Sequence, residues 1–554
     1  MKTKTTSFLR RKNFKAQALL FLCLISFFSH KGQNLIWAKA INGSDVRAKG
    51  MVVDGSGNVY TTGTFSGTTD FDPGPGIFTV APQPNTTNVF ISKLDASGNF
   101  VWAKTMAMNG GNNTGDGRSV ALDASGNIYA TGTFAGTVDF DPGPGTFTLN
   151  STGGAAFIWK LNPSGNFTMA KNFGGVGLSI KLDASGNIYT TGAFVGSEDF
   201  DPGVGTFSLT SAGGDDVFIS KLDASGNFVW AKGFGGTQTD DGYGITVDAS
   251  GNVYTTGNFM SVVDFDPGAG TYTLSGSPNY DIFISKLDAT GNFVWAKKKG
   301  SSLGIGSSIA LDASGNPYVT GIDFTDGFIS KLDPSGNFTW TKNLGRSVSS
   351  IALDGSGNIY SSGWFSGTLD FDPGAGTYTL TSAGAEDVFV SKLDASGNFI
   401  MAAAMGGTST DRGYAVGFDA LGNVTSAGVF VGPADFDPTA GVFNLNAISP
   451  NLNMFVTKIS AASPTGLIEN ISINNIVSVY PNPFSSQINI EVKENNIGNE
   501  KNLVIYNSLG QTVLSENFNT KNITIESKHL SNGIYFYKLS TNNKVIGSGK
   551  LIAE

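Results

Sequence analysis

Apolar and polar positions alternate in short runs along most of the chain, and the runs recur. A phrase of the form IALDASGNIYTTG sets an alternating segment, a turn and a second alternating segment in a row. Its leading Asp stands at Asp54, Asp123, Asp183, Asp248, Asp312, Asp354 and Asp419. A second phrase, FISKLDASGNFVWAK, interleaves with it at 90–104, 157–171, 218–232, 283–297 and 328–342, with a degenerate copy at 389–403. Short period-two runs rich in Val, Ile, Tyr, Phe and Thr, bounded by Gly and Asn, predict strands rather than helices. In the second copy the strands fall at 119–123, 127–132, 157–161 and 166–171, joined pairwise by turns such as Ser125-Gly126-Asn127. Gly supplies a positive φ there, and the Asp upstream can accept hydrogen bonds from the turn amides. Each unit therefore predicts two hairpins forming one four-stranded antiparallel sheet.

Successive leading Asp residues lie 69, 60, 65, 64, 42 and 65 residues apart. The 42-residue unit keeps all four strand segments and lacks only the stretch reading DFDPGxGTxTL in its neighbours. That stretch is therefore predicted to leave the sheet as an excursion, since lengthening a surface loop costs only ~0.6 kcal/mol per doubling. Four strands in about 42 residues is the size of a β-propeller blade. The ends suit a ring. The segment Asn34-Leu35-Ile36-Trp37-Ala38-Lys39 is a last strand with no unit before it, and the final unit stops at Ile459 without that strand. The first strand is thus expected beside Phe455–Ile459, closing seven blades, whereas an open solenoid would show capping repeats at both ends.

These phrases resemble the bacterial β-propeller repeats called SBBP, and more loosely NHL-type propellers, over about 34–460. The resemblance implies the fold and says little of function, because propellers host enzymes, binders and scaffolds alike. From Ala461 the repeat ends, and Ser463-Pro464-Thr465-Gly466 opens a linker. Seven short strands are then predicted at 477–480, 487–492, 502–507, 512–516, 522–526, 533–540 and 544–550, a small β-sandwich. Tyr480-Pro481-Asn482-Pro483-Phe484, 505–511 (IYNSLGQ) and 530–535 (LSNGIY) resemble the type A C-terminal sorting domain of the type IX secretion system. Asn507 departs from the Asp frequent in that family. The resemblance implies passage across the outer membrane on the type IX translocon and a cell-surface or released product. The expected organisation is a signal peptide at 1–33, a propeller at 34–460, a linker at 461–475 and a sorting domain at 476–554.

Composition narrows the chemistry. Charged residues are 14% of the chain and Gly is 74 of 554, the mix of turn-rich β structure. The net charge of −9 argues against a nucleic-acid partner. Cys23 is the single Cys, and His30 and His529 are the two His. Lys2, Lys4, Arg10, Arg11, Lys12 and Lys15 precede an apolar run at 16–28, the pattern of a secretory signal with cleavage near 29–33. Leu22 before Cys23 does not suit a lipoprotein cleavage site, and no later segment is apolar enough to span a bilayer. Removing the leader leaves the repeats without thiol or imidazole. That excludes Cys–His and Ser–His–Asp nucleophiles, ordinary zinc sites, Cys-ligated clusters, His-ligated haem and disulfides.

The remaining candidates are oxygen groups. The excursion pairs are Asp70 and Asp72, Asp139 and Asp141, Asp199 and Asp201, Asp264 and Asp266, Asp370 and Asp372, with a weaker copy at Asp435 and Asp437. Carboxylates at i and i+2 share one side of a strand, so each pair suits either a calcium ion or a turn whose amides the Asp oxygens accept. No other cofactor is expected. The LDASGN Asp reads as an Asx turn. Trp37, Trp102, Trp230, Trp295 and Trp340 read as a packing slot, since Met169 and Met401 replace them. Between 34 and 460 the Glu residues are Glu198 and Glu386, too few and too scattered for a carboxylate pair. Arg47, Arg118, Arg346 and Arg412 precede first strands, with Arg118 and Arg412 taken as matching positions of a weak anion patch. The sequence thus predicts an all-β, secreted, non-catalytic propeller that binds an extracellular glycan or protein as an adhesion or scaffold module. The alternative is a carbohydrate-active hydrolase or lyase using Asp and Tyr on one face.

Overall fold

A computed structural model describes residues 33–108, 113–300, 302–447, 451–461, 477–492, 500–507, 512–526, 528, 530–541 and 544–553. The expected leader up to residue 32, and the linker beyond residue 461, lie outside the described residues. The chain divides between Ser463 and Pro464 into two compact units.

The first unit is built of four-stranded antiparallel sheets in sequence order. Val176–Leu182, Ile188–Phe194, Asp216–Leu222 and Phe228–Phe234 form one. The pattern recurs in sheets headed by Thr114–Leu122, Asp241–Val247, Gly304–Leu311, Ser347–Leu353 and Arg412–Phe418. The strand Leu35–Val53 serves two sheets. Residues 42–53 pair with Val59–Asp70, and residues 35–41 pair with Asn453–Ile459, the partner expected from the sequence. Its register runs Leu35↔Ile459, Trp37↔Lys458, Ala38↔Thr457, Lys39↔Val456, Ala40↔Phe455 and Ile41↔Met454. Core side chains lie between neighbouring sheets. Tyr129, Ala156, Ile158 and Phe173 of one sheet, for example, meet Ile180, Ile188 and Phe218 of the next.

The turns close as the sequence predicts. Asp123 Oδ1 accepts the amides of Ser125 and Asn127 at 2.9 Å each, and its Oδ2 accepts Asn127 Nδ2 at 2.7 Å. The Tyr129 hydroxyl donates to the same Oδ2 at 3.2 Å, and Lys160 Nζ lies 4.7 Å over the Tyr129 ring. This Asp–Tyr–Lys set repeats around the chain. Where Thr425 stands in place of Tyr, Lys458 bonds Asp419 directly at 2.8 Å.

Three excursions leave the sheets as expected, as separate hairpins such as Ser197–Asp199 with Ser208–Thr210. Those of the first two units instead prolong the second strand of their sheet, as in Asp139↔Thr148, and the last pairs with the preceding sheet through Gly406↔Asp435. Five of the excursions lay an aromatic ring on the outer strand, Phe207 on Phe228 at 4.9 Å and Tyr272 on Phe293 at 4.8 Å for example. The unit without an excursion leaves Phe338 exposed.

Each first strand carries a β-bulge at one height. The register skips one residue at Lys49, Arg118, Leu178, Tyr243, Ser307, Ser349 and Tyr414. The bulge drives the carbonyl two residues before it against a Gly of the second strand, the last residue of phrases such as TTG and SSG. A Cβ at Gly63, Gly132, Gly192, Gly257, Gly321, Gly363 or Gly428 would overlap that oxygen.

The second unit holds the seven predicted strands in two sheets. Val477–Tyr480, Gln487–Val492 and Asn522–Glu526 form one, and Thr512–Phe518, Lys501–Tyr506, Gly533–Thr541 and Lys544–Ala553 the other. Ile488, Ile490, Leu503, Ile505, Leu539 and Leu551 fill the space between them.

Ile41 is fully buried on the strand shared by two sheets, so Ile41→Ala should lower unfolding free energy by about 2–4 kcal/mol in a denaturant titration. Burial pushes the Asp288 carboxyl up, but hydrogen bonds from Asn292 and Thr290 outweigh it and hold the group at about 2. A depressed carboxyl adds stability that is complete above its unfolded value near 4 and is lost as pH falls through about 2. Melting temperature should fall between pH 4 and pH 2, and Asp288→Asn should flatten that fall.

Candidate functional site

The extra residue of every bulge points into one cavity of about 180 Å³, walled by all of these first strands. A bulge re-aims a side chain, and here it converts a sheet position into a lining position. The residues following the bulges are small: Gly50, Ser119, Ser179, Gly244, Ser308, Ser350 and Ala415. The lining is uneven. Lys49 and Arg118 stand on adjacent sheets, Tyr243 and Tyr414 on two others, and Ser307 and Ser349 between those.

Asp116 holds the two cations, with Lys49 Nζ 2.6 Å from its Oδ1 and Arg118 Nε 2.6 Å from its Oδ2. Beside them Arg47 makes a two-pronged pair with Asp45 at 2.8 and 2.7 Å. Burial and then the Arg118 charge lower the Lys49 ammonium, while Asp116 opposes both. Opposite, the Tyr243 hydroxyl donates to Asp241 Oδ2 at 3.2 Å, and Asn258 Nδ2 reaches the same oxygen at 3.4 Å. Burial raises the Tyr243 hydroxyl, and the Asp241 charge raises it further. Burial also raises Asp241 itself. The Arg412 guanidinium pairs with Glu386 and stacks 5.1 Å over Trp364. Lys49, Arg118 and Asp116 together leave one net positive charge, beside phenol and serine hydroxyls. Such a lining suits an anionic or polyhydroxylated group entering between the sheets.

One oxygen of each excursion carboxylate accepts amides of its own turn. Asp70 Oδ1 accepts the amides of Asp72 at 3.1 Å and Phe78 at 2.8 Å, and Asp72 Oδ1 accepts Gly74 N at 2.8 Å. The Asp72 side chain folds over Gly74 and Gly76 so closely that a Cβ on Gly76 would overlap it. Asp139 and Asp141, Asp199 and Asp201, Asp264 and Asp266, and Asp370 and Asp372 repeat the arrangement. Asp435 and Asp437 do so with Thr439 in place of Gly. Among the described residues no three Asp, Glu, His or Cys side chains gather into a metal-holding group.

The tryptophans pack as expected. Trp37 Nε1 donates to Ala96 O at 3.1 Å, Trp295 Nε1 donates to Pro334 O at 3.1 Å, and Trp102, Trp230, Trp295 and Trp340 meet a Tyr edge-on.

The arginine alignment needs correction. Gly132 pairs with Gly117 and Gly428 with Gly413, so Arg118 follows its glycine while Arg412 precedes it. Arg412 matches Asp116, and Arg118 matches Tyr414. Lys49, Tyr243 and Tyr414 were not singled out from the sequence. Their signal is divergence, for they sit five residues before the repeated Asp, where near-identical units differ.

Two family models match. Residues 229–258 match the beta-propeller repeat SBBP, and residues 478–554 match the secretion system C-terminal sorting domain. Both resemblances read from the sequence are borne out. The sorting domain marks the chain for the cell surface or the extracellular space, and among the described residues no helix is long and apolar enough to cross a membrane. An uncharacterized WD repeat-containing protein, L264, of Acanthamoeba polyphaga mimivirus is 25% identical over 299 residues, which span 48% of this chain and 18% of that protein. The chain thus spans under a fifth of that relative's length. Similar solved structures include a protein of unknown function from Bacteroides caccae, at 9% identity over 57% of this chain and 97% of that one, TM-score 0.29. Regucalcin, a calcium-binding protein from Agrobacterium tumefaciens, is 11% identical over 60% of this chain and 86% of its own, TM-score 0.29.

Asp116→Asn leaves Lys49 and Arg118 facing each other without a counter-charge. It should destabilise the protein by ~1–3 kcal/mol, and more at low ionic strength than at high, in paired denaturant titrations.

Proposed function

We propose that this is a secreted seven-bladed β-propeller, closed by its first strand, that captures an acidic glycan end or an acidic protein loop in its axial mouth without turning it over. The ring reading is supported by the pairing of residues 35–41 with Asn453–Ile459 and by each first strand packing on the next, Arg412–Phe418 on Leu35–Val53 included. With it go the boundaries 34–460 for the propeller, 461–475 for the linker and 476–554 for the sorting domain, which engages the type IX translocon during export.

The observation that carries the binding reading is the asymmetric lining of a cavity shared by every first strand. Lys49 and Arg118 stand on adjacent first strands and Tyr243 on a strand farther round the cavity, an arrangement that favours one ligand orientation. Asp116 has both oxygens on cations, whereas Asp241 accepts from Tyr243 and Asn258 through Oδ2 alone. A general acid or base needs an oxygen free to reach the reacting group, which Asp116 lacks. The same asymmetry favours a second reading, a carbohydrate hydrolase or lyase acting through Tyr243 and Asp241 beside Arg118.

A glycan array and a polysaccharide turnover assay on the full chain separate the two. Binding of uronate-rich glycans without release of reducing ends or unsaturated products is expected. Arg118→Ala should weaken binding about tenfold, roughly 1.4 kcal/mol. Product release that Tyr243→Phe abolishes would establish the enzyme instead.

A further inference from the structure

At the start of the third strand, several sheets bury a polar side chain with one oxygen lacking a partner: Asn88, Asp216, Asp281 and Asp387, each through Oδ1. The repeat therefore carries a polar hole at this point, and the units differ in the charge around it.

At Asn88 the hole is neutral, and the chain crossing it from the next first strand contributes Gly115, whose amide bonds Thr87 O at 2.8 Å. At Asp281 the crossing residue is Gly304, and Lys298 Nζ lies 3.0 Å from the carboxylate. One buried negative charge is balanced there by one ammonium.

At Asp216 and Asp387 the balance is reversed. The crossing residues are Asp240 and Asp411, whose amides bond Asp215 O and Glu386 O at 2.7 Å each. The positions matching Lys298 are Gly233 and Ala404. Asp216 and Asp387 are 3% exposed, and Asp240 and Asp411 are 0% exposed. In both places the loops fold alike. The first carboxyl lies against Gly235 or Gly406, and the amide of the next residue, Gly236 or Gly407, donates to the second carboxylate at 2.7 or 2.6 Å. Among the described residues no Lys, Arg or His pairs with any of the four.

Burying one carboxylate without a counter-charge costs several kcal/mol, and burying two together costs more. A chain that twice adds a second acid and twice leaves out the lysine needs another source of positive charge. The donors are oxygen only, with no thiol or imidazole in these loops, which selects a hard cation.

We propose that the Asp216–Asp240 and Asp387–Asp411 pairs each hold one calcium-class divalent cation between two neighbouring sheets. The first carboxylate offers its unpartnered Oδ1, and the second offers lone pairs left after its two amide bonds. Burial raises Asp216 to about 6, Asp240 to about 7 and Asp411 to about 6, and Asp216 and Asp387 add to the rise of their partners. With only two carboxylates per ion, affinity falls in the range of extracellular modules, ~10⁻⁴–10⁻³ M.

The test is calcium titration of the full chain after chelator dialysis, with bound ions counted by equilibrium dialysis and folding checked by circular dichroism. Two ions per chain are expected. Ala404→Lys places an ammonium as Lys298 is placed beside Asp281, and should reduce the count to one without unfolding the chain. Asp216→Asn with Asp240→Asn should remove the other ion. Asp281→Asn and Asp72→Asn should leave two. No uptake overturns the proposal, as does a count of five or six, loss of an ion with Asp72→Asn, or two ions retained in Ala404→Lys.

Discussion

The bulge in each first strand, seated against a glycine of the second, is the constraint on which the rest of the repeat unit depends. The extra residue pushes a carbonyl into the space a Cβ would fill, so that second-strand position can carry nothing but Gly. In return the bulged residue leaves the sheet face and reaches the cavity. A regular strand would point the same residue between two sheets, where Lys49 or Arg118 would be buried without water or partner. One local irregularity, repeated at one height, thus separates the residues that hold the sheets together from those free to vary.

That separation explains how repeats so alike carry an uneven site. The Asp–Tyr–Lys sets tie the first turn of a sheet to its second and third strands by bonds internal to the sheet, so they work alike in every copy. Where one member changes, another compensates within the set. Thr425 cannot reach its turn Asp, and Lys458 moves from ring-stacking distance to a direct 2.8 Å pair with Asp419. The bulged positions belong to no such set: Arg118 and Tyr243 bond an Asp two residues before them on the same strand. Lys49 depends on Asp116 of the next sheet, and Arg118 shares that carboxylate. Variation there alters the cavity without disturbing the sheet, which is why charge and phenol groups could collect on some sheets and serine on others.

Period-two runs and Asp-x-Ser-Gly-Asn turns made the strands, the excursions and the pairing of the first strand with the last readable from sequence, because each depends on neighbours within a few residues or on a missing segment. The bulge was not readable. Its existence depends on the register between two strands, and one skipped residue changes which side chains correspond. Counting without it aligned Arg118 with Arg412, although pairing places them on opposite sides of the glycine. The excursion Asp pairs were readable as turn-formers, and their oxygens do accept the turn amides. The buried pairs at Asp216 and Asp240 were not, since the two acids come from loops 24 residues apart in sequence that meet only when adjacent sheets pack.

Export gives the buried acids a further physical meaning. A site with two carboxylates and sub-millimolar to millimolar affinity stays empty where free calcium is scarce and fills where it is abundant. Empty, each pair is a buried charge cluster that opposes docking of its two sheets; filled, the same pair becomes a cross-link between them. The chain carries no thiol in its repeats and so cannot form a disulfide after crossing the membrane. Ion uptake at sheet junctions would do the same work by a route that needs no redox chemistry. It would also act at two of the places where separate sheets pack together, leaving the strand shared by the first and last sheets to be held by backbone pairing and buried side chains alone.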